Sequence, residues 1–411
     1  MLERGEKDVD LSHVQERSLY MPPLQEFLVR QERLERMVGE KDAYIFFSPR
    51  AIFYLSGCAL SQTERPVVFI HVPGKENILF IPRMELEHAE HTVQGCRVVC
   101  YREYPDTVHP MIHLQRLLNN LHLSEGIVAA DSDGYSSAWG YRGPALSELC
   151  QQMRIQWIPF AVSELRMIKS EYEMLLMRES AKWANFEHAL LKEYTKAGKT
   201  EIEICQRASS ETVGVMLRAL GPKYRMSGMD RDGARAVFRG QVGKNSAFPH
   251  AVVINATLHR GDSVVTGVNA YIQGYFTEME RVMFVGEPSK EQVKFYELAL
   301  EAQQIALSAI KPGVTCSTVD AEMYRFYKER GLEKYWRHHS GHSIGQEGHE
   351  APFFDIGDST ILQPGMCMSV EPGIYVEGLG GFRVSDTIYI TEKGVECLTY
   401  FSKNLEDIIC E

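Results

Sequence analysis

The segments Gly261-Asp-Ser-Val-Val-Thr-Gly-Val-Asn-Ala-Tyr271 and Gly365-Met-Cys-Met-Ser-Val-Glu-Pro-Gly-Ile-Tyr375 superimpose almost residue for residue. The second half of the chain therefore contains a degenerate internal repeat, which restricts it to folds with an approximate internal symmetry. The copies disagree where chemistry would sit: Gly267 stands in the first copy where Glu371 stands in the second.

The chain has 411 residues, 44% of them apolar, enough for two domains with cores of their own. Its 55 acidic residues outnumber 44 basic ones, and a net charge of -11 without a basic block argues against nucleic acid as a partner. No cationic segment followed by an apolar core opens the sequence, and no later run approaches bilayer-spanning length. A soluble, cytoplasmic protein that does not engage membranes is expected. Nine cysteines without a CxxC read as reduced, mostly buried thiols.

Patterning divides the chain near residue 165. Residues 1–164 alternate an amphipathic helix at 24–38 with apolar runs at 43–47, 67–72, 78–81, 97–101 and 126–130, the pattern of a small α/β domain with a mixed sheet. Residues 165–411 open on a long helix whose Tyr172, Leu175, Leu176, Trp183, Phe186 and Leu190 recur at helical spacing, a stripe that reads as core. Further helices are predicted at 201–217, at 290–310 and after Thr315. The rest is strand-like and glycine-punctuated, giving an α+β domain with helices over one face of a sheet. Residues 1–20 are polar and read as an extended arm.

In the second domain, period-two spacing in Gly274-Tyr-Phe-Thr-Glu-Met-Glu-Arg281 puts Glu278 and Glu280 side by side on one strand face. Such carboxylates repel unless one holds a proton, a metal or a cation. The bland alternatives are a solvated edge strand or pairing with Arg281 or Arg383. Pro249-His250 ends a polar loop ahead of an apolar, strand-like run, and His338-His-Ser-Gly-His342 through His349 sets histidines among small residues. Neutral imidazole there can carry a proton or bind a metal. His88 and His91 lie on a charged helix surface and receive no role. Glu371 interrupts an apolar strand before Pro372, a placement that usually requires a partner.

Taken together, Leu165-Arg-Met-Ile-Lys-Ser170, Pro249-His250, Glu280-Arg281, Gly341-His342-Ser-Ile-Gly345, His349-Glu350-Ala-Pro352, Ser369-Val-Glu-Pro-Gly373 and Gly380-Gly-Phe-Arg383 resemble the pita-bread superfamily of aminopeptidase P, prolidase and creatinase. The resemblance spans essentially the whole chain. It implies a pita-bread catalytic domain behind a smaller α/β N-terminal domain, and a homodimer. Peptidases of that superfamily bind two metal ions through two aspartates, one histidine and two glutamates. Those positions here are Gly267, Glu278, His342, Glu371 and Ser385, so the resemblance implies loss of the dinuclear site. One divalent ion on Glu278, His342 and Glu371 stays open.

The metal-free member of the superfamily, creatinase, is the closer local match. It implies His250 as proton carrier, with Glu280 and Glu371 holding a cationic substrate and His342 as a third polar wall. The same match implies that Arg65, supplied from a neighbouring subunit, fixes the substrate's acid end, with Arg383, His349 and Glu278 completing the pocket. Arg65 reads equally as a surface arginine in a loop. The expected activity is metal-independent, cofactor-free hydrolysis of a carbon–nitrogen bond in a small zwitterion such as a guanidino acid. The alternatives are an Xaa-Pro peptidase with a single metal and a non-catalytic binding protein on the same fold. His349-Glu350-Ala-Pro352 is peptidase-like where creatinase differs, so the substrate is left open.

Overall fold

The computed structural model describes residues 20–230 and 232–411; the polar arm expected over residues 1–20 lies almost wholly outside them. Two compact units divide after Leu165, and 220–229 return to the first.

The first unit is a mixed six-stranded sheet. Its strands are β1 (Ala43–Phe46), β2 (Val68–His71), β3 (Asn77–Pro82), β4 (Cys96–Tyr101), β5 (Ile127–Ala130) and β6 (Arg154–Trp157), in the order β4-β3-β2-β1-β5-β6. Helices α1 (Leu24–Val38), α2 (Pro49–Ser56), α3 (Leu86–Thr92), α4 (Pro110–Asn120) and α5 (Leu146–Leu149) accompany it, and α6 (Ala161–Met167) carries the chain onward. Strands β1 to β3 are buried on both faces, as their continuous apolar runs require, because side chains alternate across the sheet and each face has its own core. Strand β6, with its exposed Arg154 and Trp157, lacks an apolar run and was not legible in the sequence.

The second unit opens with α7 (Glu171–Tyr194), whose start is set by a capping box: Ser170 Oγ accepts from Glu173 N–H at 3.1 Å, and Ser170 N–H donates to Glu173 Oε2 at 2.9 Å. Its buried face carries Leu176, Trp183 and Leu190 as expected, but Leu175 is exposed and Met174, Met177 and Ala181 fill the contact instead. α8 (Glu201–Leu220), α9 (Lys290–Ala309) and α10 (Cys316–Glu329) follow at the predicted places. Among the described residues, no helix is long and apolar enough to cross a membrane, and all nine cysteines are free, five of them buried.

The strands of this unit are β7 (Ala234–Val237), β8 (Ser263–Val265), β9 (Gly267–Ile272), β10 (Tyr275–Glu280), β11 (Val282–Val285), β12 (His342–Ser343), β13 (Glu350–Phe353), β14 (Cys367–Val370), β15 (Gly373–Val376), β16 (Gly380–Arg383), β17 (Ser385–Thr391), β18 (Gly394–Cys397) and β19 (Ile409–Cys410). The large sheet runs β13-β12-β14-β17-β10-β9-β7, with β18 beside β17; β19-β11-β8 and β15-β16 form smaller sheets.

The repeat is visible in this topology. Gly261 and Gly365 each open a copy at φ +96°, a conformation that favours glycine. Each copy then runs strand, break, strand, hairpin, strand. In the first copy the inner hairpin β9-β10 joins the large sheet, and in the second the outer pair β14-β17 does so. The copies meet where β10 pairs antiparallel with β17, Met279 opposite Asp386 and Glu280 opposite Ser385. The apolar strand expected after His250 is absent. Residues 251–256 are irregular, because the buried carboxylate of Glu201 takes their N–H groups: Ile254 and Ala256 each donate to its Oε1 at 3.0 Å.

The seam between the copies is closed by a fully buried ion pair. Arg281 Nη2 donates to Asp386 Oδ1 at 2.7 Å, and its other N–H groups reach the carbonyls of Glu280, Ser385 and Phe401. Removing one member strands a buried charge, so Asp386→Ala should lower stability by about 3–5 kcal/mol. Arg178→Ala, which breaks an exposed pair with Glu396, should cost less than about 1 kcal/mol. Urea denaturation of both variants beside the parent measures the difference; equal losses would show that the seam does not depend on this pair.

Candidate active site

Strand β10 presents Glu278 and Glu280 on one face, and the two have different partners. Glu280 is 3% exposed, and both its oxygens are taken: Arg383 binds it in a fork through Nε to Oε2 and Nη2 to Oε1 (2.8 Å), and Arg239 Nη2 donates to Oε1 as well. The remaining Arg383 donors go to Tyr375 Oη (2.9 Å), the Pro249 carbonyl (3.4 Å) and Gln241 Oε1 (3.1 Å). A guanidinium has five donors and these five bonds use them. Two expectations are thereby corrected. The Glu280 charge is already met by two arginines rather than by a substrate cation, and buried Arg383 has no free donor for a substrate acid. The pairing of Glu280 with Arg383, raised as the bland alternative, is what the fold uses; Arg281 is engaged by Asp386.

Glu278 belongs to a second cluster. His342 opens β12, fully buried, with its backbone N–H held by Ser369 Oγ at 3.1 Å and Nδ1 donating to the Ser343 carbonyl at 3.0 Å. That bond turns Nε2 toward the carboxylates, 3.2 Å from Glu371 Oε1 and 3.7 Å from Glu278 Oε1, yet no aligned hydrogen bond satisfies it. Glu371 sits at the break between β14 and β15, its N–H donating to the Ser340 carbonyl at 2.9 Å. Ligand atoms of Glu278, His342 and Glu371 all lie within 4.8 Å of one another.

The electrostatics of this cluster are uneven. Burial opposes the His342 charge, but Glu371 and Glu278 outweigh it and raise the imidazole to about 9. Burial likewise opposes the Glu371 carboxylate, yet the His342 and Arg383 cations hold it well below the usual range. Glu278 is pushed up by burial; His342 pulls it down, while the Glu371 charge adds to the rise.

His349 stacks on His342 with ring centres 3.8 Å apart. Although the residue reaches the surface, loss of water around the ring and the His342 charge behind it lower it to about 4. His250 is exposed, in the turn that leads into the irregular loop. Arg65 lies in the N-terminal unit, where Glu103 (2.6 Å) and Glu64 take its guanidinium, so the surface-loop reading describes its contacts.

Two residues here, Tyr375 and Arg239, were missed in the sequence, and His338 was named only within its histidine run. His338, lowered to about 4 by burial, contacts Tyr375 Oη at 2.8 Å, extending the Arg383 network. Tyr375 carried a signal, since it ends the second repeat copy as Tyr271 ends the first. Arg239 carried none. It sits in a turn closed by Gln241 N–H to the Phe238 carbonyl (2.8 Å), with Arg239 at φ +53° and Gly240 at φ +71°. Arginine in that left-handed conformation costs about 1 kcal/mol or more.

A 210 Å³ cavity borders the cluster, lined by Arg235, Val237, Arg239, Gly267, Val268, Asn269, Glu278 and Glu280. Of the five positions at which the resemblance implies metal ligands, Gly267 offers no donor, and buried Ser385 offers a hydroxyl without a hydrogen-bond partner. A dinuclear centre does not fit these residues, because two divalent ions need bridging carboxylates to offset their charge. One ion fits Glu278, His342 and Glu371, where the orphaned Nε2 supplies a lone pair once deprotonated.

Residues 176–392 match the sequence profile of metallopeptidase family M24, and residues 30–168 match the creatinase/prolidase N-terminal domain. A Xaa-Pro dipeptidase of Pyrococcus furiosus is 28% identical over 380 residues, 91% of this chain and 99% of that protein. A solved Xaa-Pro dipeptidase from Bacillus anthracis superimposes with a TM-score of 0.76 at 25% identity, covering 93% of this chain and 99% of that one. An X-Pro aminopeptidase from Thermotoga maritima shares the fold, with a TM-score of 0.77 at 24% identity over 92% and 99% of the two chains. With more than half of its length matched by the M24 profile, its N-terminal domain matched as well and its repeat folded as described, the chain belongs to metallopeptidase family M24 and has the pita-bread architecture.

Proposed function

We propose that the chain hydrolyses the amide bond of a small Xaa-Pro-type peptide with one divalent ion held by Glu278, His342 and Glu371. The observation that carries this reading is the convergence of two carboxylate oxygens on a buried imidazole nitrogen that makes no aligned hydrogen bond, the three ligand atoms lying within 4.8 Å of one another. The similarity to Xaa-Pro dipeptidases over nearly the whole chain supports the substrate class. When bound, such an ion polarises a carbonyl and acidifies water. The chain's own residues do the rest. The Ser343 carbonyl fixes the His342 tautomer, and the Arg239–Glu280–Arg383 network holds β10 and β16 at fixed spacing beside the cavity. His349, neutral near pH 7, has one N–H and one lone pair at the open side of the cluster, suited to passing a proton to the departing nitrogen.

A second reading, metal-independent hydrolysis of a guanidino acid, draws on the missing carboxylates at Gly267 and Ser385. Its weak point is Glu280, both oxygens of which already serve two arginines and whose charge they neutralise.

Purified protein should carry about one equivalent of a divalent metal, matching the one three-residue site among the described residues. His342→Ala should lose both metal and dipeptide hydrolysis, and chelation should abolish turnover reversibly. Turnover that survives exhaustive chelation in metal-free protein would sink this reading in favour of the second. His349→Phe keeps a ring for stacking but no proton, so kcat should fall roughly 10²–10⁴-fold at unchanged metal content. Steady-state kinetics beside elemental analysis decides it, an unchanged kcat removing His349 from the chemistry.

A further inference from the structure

The single-ion reading leaves a place in the cleft without an explanation. Gly267 opens β9 beside the cavity. A Cβ added there would lie 3.2 Å from Val237 Cγ2 and 3.7 Å from both Arg239 Nη2 and Glu280 Oε1. The space vacated by a carboxylate at this position is thus bounded by a guanidinium and its carboxylate partner.

Several features of Arg239 go beyond a structural ion pair. Its φ of +53° is uncommon for a residue with a side chain, and strain of this kind persists where the surroundings over-determine it. Those surroundings are specific. Glu201 Oε2 accepts the Gly240 N–H at 2.9 Å, Asn245 Nδ2 donates to the Gly240 carbonyl at 2.5 Å, and a Cβ on Gly240 would collide with the Val252 carbonyl. The turn is clamped from three sides, and Glu201 is its positioning residue. Only one of the five Arg239 donors has a hydrogen-bond partner among the described residues, the bond to Glu280, and about two-fifths of the side chain is exposed, 41%. Asn269, opposite Glu278 across β9 and β10, also lines the cavity and has a buried Oδ1 without a partner. Glu280 is neutralised by Arg383, so Arg239 brings the cavity a fixed positive charge.

We propose that the Arg239 guanidinium is a built-in cation standing in the place of a second metal ion, and that its free N–H groups receive an anionic oxygen of the substrate, of the carboxylate class. A guanidinium supplies charge and directed donors at every physiological pH and cannot be chelated. Its presence accounts for the missing carboxylate at Gly267. A carboxylate there would collapse onto the arginine as an ion pair, and an ion beside it would be repelled.

The proposal deepens the single-ion reading, so its test reads a difference that does not depend on the first ion. Gly267 is not in a left-handed conformation and its nearest neighbour is a side-chain methyl, so aspartate fits there with a small shift of Val237. Manganese stoichiometry is measured by calorimetry and elemental analysis in Gly267→Asp/Ser385→Glu and in the same double variant carrying Arg239→Gln, with circular dichroism confirming the fold of each. The variant without the arginine should bind one equivalent more than the variant that keeps it. Equal stoichiometry in the two overturns the proposal, whatever the number. In the otherwise unchanged protein, Arg239→Gln should weaken acetate binding about tenfold or more, the loss of a charge-assisted hydrogen bond. Equal acetate affinity would remove the anion-binding role. Neither readout requires turnover, so a failure of the peptidase reading and a failure of this one are separable.

Discussion

The buried pair of Arg281 and Asp386 is the constraint on which the catalytic unit depends. Both side chains are wholly inside; Arg281 has Asp386 as its carboxylate, while Asp386 also meets Lys403 at 2.5 Å, and each is further satisfied by backbone or polar partners. Arg281 follows β10 in the first repeat copy and Asp386 lies on β17 in the second. Their bond, with the Glu280–Ser385 register beside it, fixes how the copies meet. Glu278 and Glu280 from one copy and Glu371 and Arg383 from the other are then brought to one cleft. Without that seam the acidic positions of the two repeats would have no reason to converge.

The cleft separates charges into two groups with different tasks. In one, Glu280 is bound by two arginines and is electrostatically closed. In the other, His342 lies between two carboxylates whose own tendencies diverge, Glu371 staying ionised while Glu278 is pushed toward its protonated form. Carboxylates that looked equivalent as neighbours on one strand therefore have opposite roles. Glu280 belongs to the scaffold, and Glu278 remains open to a ligand. The difference comes from Arg383, which binds Glu280 in a fork, joined by Arg239 on a turn held by Glu201.

Much of the fold was legible because it rests on local physics. Continuous apolar runs became β1 to β3, the Ser170 and Glu173 spacing set the start of α7, and the two repeat glycines adopted one backbone conformation. Failures came where distant partners override the local pattern. The apolar residues after His250 look like a strand, but Glu201 captures their N–H groups and holds them irregular. Leu175 has the spacing of a core residue, yet Met174 and Met177 take that place. At the site, period two correctly paired Glu278 with Glu280, and the Glu371 position before a proline signalled a constrained carboxylate. The pairing of Glu280 with Arg383 was legible only as one alternative among several, because which neighbours take a group's hydrogen bonds is a property of all of them at once.

By itself the sequence determined the repeat, which follows from residue type and spacing along the chain, and through its family resemblance it implied the architecture and the absence of two carboxylates from the dinuclear set. Only the tertiary structure decided which carboxylates stay free, that His342 turns Nε2 toward them, and that an arginine borders the space beside Gly267. Those outcomes are set by pairings between segments far apart in sequence, and a buried charge takes its meaning from the partner that reaches it.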